Sequence, residues 1–328
     1  MKILVTGSAG HLGEALMRSL QAGAREAIGV DVRPSPYTRL VGSIADRAFA
    51  ARCMQGVDAV LHTATLHKPH IVTHSHQDFV ATNIGGTLNL LEEAVANGVR
   101  AFVFTSTTST FGRALTPDAG APAAWITEEV LPRPKNIYGV TKVAAEDLCE
   151  LFQRLHCLPC IALRTSRFFP EDDDSQQTRA DYFDANAKVN ELLHRRVDIE
   201  DVVDAHLLAL ERAPAIGFGR YIVSATTPFG RDELQTLRRH APAVVAAHVP
   251  AFEAEYRRRG WTMFPGIDRV YVNAKARAEL GWRPRHDFAA VIERLRAGGD
   301  HRSALAQAIG VKGYHASIFA DRPYPVAP

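Results

Sequence analysis

The sequence predicts an α/β protein, a doubly wound parallel sheet joined by a smaller lobe made from separate stretches of chain. Three observations carry this. The chain opens with a strand, a glycine-rich turn and a helix; apolar strand runs and helical runs alternate through residue 165. At 328 residues, 46% hydrophobic and 23% charged, it can also bury a large core or two lobes.

The first strand is Ile3-Leu-Val5, followed by Thr6-Gly7-Ser-Ala-Gly10-His11-Leu12-Gly13. Leu12, Leu16, Met17 and Leu20 then recur at helical spacing. Glycine at 7 permits a tight turn, at 10 lets backbone approach a pyrophosphate, and at 13 lets the helix pack close to the strand. The next strand, Glu26 to Asp31, ends in an acid eighteen residues after Gly13. A carboxylate there accepts hydrogen bonds from adenosine ribose and repels a 2'-phosphate, which favours NAD over NADP; Arg33 opposes this slightly.

In Asn136-Ile-Tyr-Gly-Val-Thr-Lys142, Tyr138 and Lys142 lie at i and i+4, on one helix face. An ammonium beside a phenol favours phenolate, so the pair predicts a tyrosine with a lowered pKa acting as a general base.

Net charge is +2, with no long block of like charge and no run of eighteen apolar residues, so neither nucleic acid nor membrane is expected as a partner. Met1 leads straight into the first strand, and a cytoplasmic protein is expected. Cys53, Cys149, Cys157 and Cys160 are too few and scattered for a disulfide framework. Cys157 and Cys160 have the spacing of a redox or zinc pair, but no second pair accompanies them and buried packing is expected. His70 and His74 have the spacing of metal ligands, yet without a carboxylate-lined partner motif no metal is expected.

Together with Tyr138 and Lys142, the G-x-x-G-x-x-G spacing resembles the extended short-chain dehydrogenase/reductase family, in its epimerase/dehydratase branch. Gly42-Ser-Ile-Ala-Asp46 resembles a strand end of that family, Asp58 to Ala64 its fourth strand, Asn83 to Glu92 its Asn-Val-x-Gly-Thr helix, and Ala101 to Thr107 its fifth strand. The resemblance implies a Rossmann fold with NAD as cofactor. By it, NAD is held by Gly7, Gly10, His11, Leu12 and Gly13; by Asp31, Val32, Ser43 and Ile44; and by Thr63, Ala64, Thr65, Asn83, Thr105, Tyr138, Lys142 and Ser166. It also implies Tyr138, Lys142 and Thr107 as catalytic groups, with His67, Thr107, Thr108 and Arg167 at the substrate. Domains are expected at 1–166 plus 197–225 for NAD, at 167–196 plus 226–299 for substrate, with a partly extended tail over 300–328. The stretch Leu115 to Ala124 is loop-like, a candidate lid, and Tyr182 to Lys188 has helical character. A homodimer is implied through the helices holding Asn83 and Tyr138.

Departures from the family pattern bear on the reaction. Dehydratases of the family follow the catalytic hydroxyl with Asp-Glu; here Thr108 and Ser109 stand there, which disfavours dehydration. Arg164-Thr-Ser-Arg-Phe-Phe-Pro-Glu171 resembles a segment of uronate dehydrogenases, with Arg167 in place of their serine. A guanidinium there can fork onto a carboxylate or phosphate, or pair with Glu171 or a neighbouring acid. Only about 26 residues separate Glu171 from Val197-Asp-Ile-Glu-Asp-Val-Val203, which resembles the family's next strand and helix, and this is a short insert for a nucleotide-sugar enzyme of the family. The expectation is NAD-dependent hydride transfer at a secondary alcohol of a small sugar-like substrate. A nucleotide-sugar epimerase that keeps its NAD and a non-catalytic NAD-binding sensor are the alternatives.

Overall fold

A computed structural model of the protein describes residues 1–313. Seven strands form one parallel sheet in the order β3-β2-β1-β4-β5-β7-β8. They are β1 (Ile3–Thr6), β2 (Ala27–Asp31), β3 (Leu40–Val41), β4 (Ala59–His62), β5 (Ala101–Thr107), β7 (Cys160–Thr165) and β8 (Phe218–Val223). A two-stranded parallel ribbon joins β6 (Ala124–Ile126) to β9 (Arg269–Tyr271).

The strands read as continuous apolar runs because both sheet faces are covered. Side chains alternate across a strand, so Ile3, Val5, Leu61, Val103 and Leu163 face one core, with the His11–Ala22 and Ile199–Ile216 helices. Leu4, Val60, Phe102, Phe104 and Ala162 face the other, with the Arg47–Met54, Gly86–Ala96 and Ile137–His156 helices. A third core, around Leu193, Leu237, Val245, Val270 and Phe288, belongs to the smaller lobe.

Several local expectations are corrected. The helix from Asn83 begins as a wide π turn over Val80–Gly85 before turning regular at Gly86. Val197 makes no strand: its N–H donates to the Arg167 carbonyl beside a single Arg167 to Arg196 bridge, and helix starts at Ile199 under the Asp198 cap. Helix breaks at Tyr182 and Phe183, between Gln176–Asp181 and Asp184–Glu191. The candidate lid over Leu115 to Ala124 is tethered at its far end, where the Ala123 and Ala124 N–H groups donate to the Leu234 and Asp268 carbonyls. In the tail, residues 304–309 form a helix and 310–313 run on without helix or strand; residues 314–328 lie outside the described residues. Among the described residues no helix is long and apolar enough to cross a membrane.

Candidate active site

The strand order reverses between β1 and β4, and the carboxyl ends of these neighbours leave a crevice. A cleft of about 570 Å³ occupies it. From the expected set it is lined by Gly7, Gly10, His11, Leu12, Gly13, Asp31, Val32, Ser43, Ile44, Thr63, Ala64, Thr65 and Thr105. Gly7 has φ +74°, and a Cβ there would meet the Ala64 nitrogen at 2.8 Å. A Cβ on Gly13 would stand 2.0 Å from the Gly7 carbonyl oxygen. Gly13→Ala therefore forces strand and helix apart and is expected to cost about 1–3 kcal/mol with loss of NAD binding, read by thermal denaturation and NAD titration. Asp31 ends β2 with both carboxylate oxygens engaged, accepting from the Ala9 and Arg33 N–H groups at 3.0 and 2.9 Å.

A second cleft of about 230 Å³ adjoins the first, sharing Thr63, Thr65, His67 and Thr105 with it. Thr107, Thr108, Tyr138, Lys142, Ser166 and Arg167 line this one. Thr107 ends β5 near enough to the Tyr138 phenol to lower its pKa, and its hydroxyl accepts from the Ser109 N–H at 3.1 Å. Asn136 caps the Ile137–His156 helix by accepting from the Gly139 N–H, which starts the helix one residue before Tyr138.

The electrostatics differ from the expectation for Tyr138 and Lys142. Burial pushes the Tyr138 phenol up to about 12 against the lowering effect of Thr107. The Lys142 ammonium is turned to the Thr105 carbonyl, 2.8 Å away, and lies 4.6 Å from the centre of the Phe104 ring. Burial pulls Lys142 down to about 7, with Glu146 opposing. The i, i+4 spacing fixed a shared face, but the cost of burying either charge outweighs their mutual effect. Between pH 7 and the unfolded value of 10.5 the unfolded chain binds a proton that the folded one releases, so this group adds stability as pH rises. In NAD-free protein, the melting temperature of wild type relative to Lys142→Met is expected to climb between pH 6.5 and 9; a flat difference would show an unshifted lysine.

Three other expected residues sit differently. Asn83 does not line the cofactor cleft: its side chain accepts from Thr65 and from the Leu66 N–H, and donates to the Leu66 carbonyl and to Thr141. It therefore pins the loop after β4 to the tyrosine helix. Arg167 is engaged with neighbouring acids, the ion-pair alternative left open by the sequence: Asp173 at 2.6 Å and Glu191 at 3.2 Å, with Asp174 at 3.6 Å. Ser166 lines the smaller cleft, and its hydroxyl donates to the Val223 carbonyl. His67 borders both clefts, 6.0 Å from Tyr138 ring to ring, and burial keeps it well below the ordinary histidine range, hence neutral. All four cysteines are free; Cys160 is buried and Cys157 is exposed in a left-handed helix cap. The His70 and His74 rings are 5.3 Å apart, and among the described residues no group of three or more His, Cys, Asp or Glu is placed to hold a metal.

Residues 3–223 match the family model described as the NAD dependent epimerase/dehydratase family. The chain belongs to that family. It is 28% identical over 331 residues to a UDP-glucose 4-epimerase of Streptomyces lividans, covering 89% of this chain and 94% of that protein. A uronate dehydrogenase of Pseudomonas putida is 26% identical over 179 residues, 52% of this chain and 62% of that enzyme. Among solved structures, a short-chain dehydrogenase/reductase superfamily protein from Agrobacterium tumefaciens with bound NAD superposes with a TM-score of 0.64 at 25% identity, covering 91% of this chain and 98% of that one.

The residues present fit NAD. The glycines leave backbone bare where a Cβ would collide, the helix from His11 opens its N-terminus on the cleft, and Asp31 offers a carboxylate. Sequence reading missed Ser109, Arg195, Arg269 and Tyr271 in the smaller cleft, and Lys312 and Gly313 in the larger. None carries a local signal. Arg195 follows a helix, Arg269 lies in a three-residue strand, and Lys312 reaches the site from the other end of the chain.

Proposed function

We propose that this enzyme transfers hydride between NAD and a secondary alcohol of a compact, anionic, sugar-like substrate. What supports the reading above all is the Thr107 and Tyr138 hydroxyl pair opening on a 230 Å³ cleft that holds Arg195 and Arg269. Bound NAD supplies the hydride acceptor and, when oxidised, a positive charge. Thr107 orients the substrate oxygen, and Tyr138 receives its proton. A phenol near 12 takes that role only once positive charge beyond that of Lys142 lowers it. His67, held neutral, adds no competing charge at the junction of the clefts.

The cleft is smaller than the roughly 300–1,000 Å³ typical of sites for drug-sized ligands, which favours a free sugar acid over a nucleotide sugar. Arg195 is paired with Asp173 and Glu191 and Arg269 with Asp268, and each keeps a buried Nε with no hydrogen-bond partner among the described residues, so an anionic substrate group would compete with those acids for the two guanidinium groups. A second reading, a nucleotide-sugar 4-epimerase with retained NAD, draws on the near full-length match to the Streptomyces lividans epimerase.

The test is a thermal-shift and absorbance screen with NAD present, setting free hexuronates and aldoses against UDP- and GDP-sugars. The proposal expects uronate to stabilise the protein and to raise absorbance at the reduced-nicotinamide band. Stabilisation by nucleoside diphosphate alone, with isomerised product and no net reduction, would establish the epimerase instead.

A further inference from the structure

The end of the described chain meets its beginning at the cofactor cleft. Ser303 caps the Ala304–Ile309 helix and is tied to Asp198, its N–H and hydroxyl donating to the carboxylate at 3.0 and 2.6 Å. Leu305, Ala306 and the buried Ile309 pack on the core beneath the first helix. The chain turns at Gly310, φ +62°, and crosses to the glycine loop. There the Lys312 and Gly313 N–H groups donate to one oxygen of Glu171, at 3.1 and 3.0 Å, and that oxygen lies 2.8 Å from His11 Nε2. Lys312 Nζ reaches Glu14, in the first turn of the glycine-loop helix, at 2.5 Å. Lys312 and Gly313 line the same cleft as Gly7, Gly10 and His11.

A helix N-terminus attracts phosphate, whereas carboxylates beside it repel phosphate. Glu14 and Glu171 are two such carboxylates, one in the helix's first turn and one against His11, its first residue. Burial alone would raise their pKa; Lys312 and Arg18 bring Glu14 below the ordinary range, and His11 with the Lys312 N–H does so for Glu171, so both stay ionised. An anionic dinucleotide bridge at Gly10 then meets two negative charges unless a cation offsets them.

We propose that residues 310–313 complete the dinucleotide site, with the Lys312 ammonium joining Arg18 in offsetting Glu14 and the Lys312 and Gly313 N–H groups holding Glu171 at its phosphate end, and that the segment crosses the route by which NAD leaves. The assignment is independent of which alcohol is oxidised. Lys312 approaches from the C-terminal side, so its contribution to binding is separable from that of the glycine loop. It also makes cofactor retention depend on salt, since a cation and phosphates are screened by added ions.

The experiment measures NAD affinity by calorimetry and NAD release by stopped-flow chase, on the full chain and on variants. Lys312→Ala is expected to weaken NAD binding by about tenfold or more and to speed release, Lys312→Glu to do more, and Lys312→Arg to retain most of the affinity. A chain stopped after Ile309, which keeps the packed helix, should release NAD faster than one stopped after Gly313. Unchanged affinity and release rate in Lys312→Ala would overturn the proposal, whatever the truncations do. Binding of NAD by wild type in the same titration separates that outcome from an error in the cofactor itself.

Discussion

Replacing Tyr138 with phenylalanine is expected to lower turnover by about 10²–10⁴-fold while leaving NAD binding intact. The phenol lines the smaller cleft and not the larger one, so its removal touches the reacting oxygen and not the glycine loop. The ring remains to fill its buried site, so the fold should hold. Thr107→Val removes the hydroxyl that lowers the phenol's pKa and should produce a smaller loss together with a higher apparent pKa in the rate profile. The measurements are steady-state rates against pH for the three proteins, with NAD affinity followed by titration. Full turnover in Tyr138→Phe would remove the tyrosine from the mechanism.

Glu146→Leu is expected to destabilise the protein by about 3–5 kcal/mol, because it strands a buried guanidinium. Glu146 lies within the tyrosine helix, fully buried. It accepts from Ser106 on β5, from Arg164 on β7 at 2.7 and 3.0 Å, and from Arg220 on β8 at 3.0 Å. Arg220 keeps Asp147 and Glu150 as partners, whereas Arg164, 2% exposed, has no other ion pair among the described residues and already has an unpartnered Nη1. The Glu146→Leu, Arg164→Met double variant should recover most of the loss, since an apolar pair of similar volume carries no desolvation cost. Chemical denaturation gives the cycle. Recovery of stability without recovery of rate would show that the pair also sets the angle at which the helix presents Tyr138.

Much of this was readable in the sequence. The strand, glycine turn and helix at the start are local: three glycines, an apolar triplet and a 3.6-residue repeat lie within about twenty residues, and backbone sterics do the rest. Asp31 is legible for the same reason, since one strand length fixes its distance from the glycines. Failures have their own physical causes. The helix break at Tyr182 and the missing strand at Val197 reflect tertiary packing overriding local pattern. Arg167 could not be divided between ligand and ion pair because Asp173 and Glu191 reach it only when the lobe folds back.

The sequence by itself determined the sheet, the glycine loop, the acid at the end of β2 and the shared helix face of Tyr138 and Lys142, because each is a periodicity or spacing within one or two elements. Only the tertiary structure decided which charges survive burial and which groups meet. It turned Lys142 toward Thr105, set Thr107 against Tyr138, locked Glu146 to Arg164 and brought Lys312 to Glu14 across 298 residues. Such pairings depend on how whole layers stack and on how much water they exclude, and neither quantity is written in any local stretch of chain.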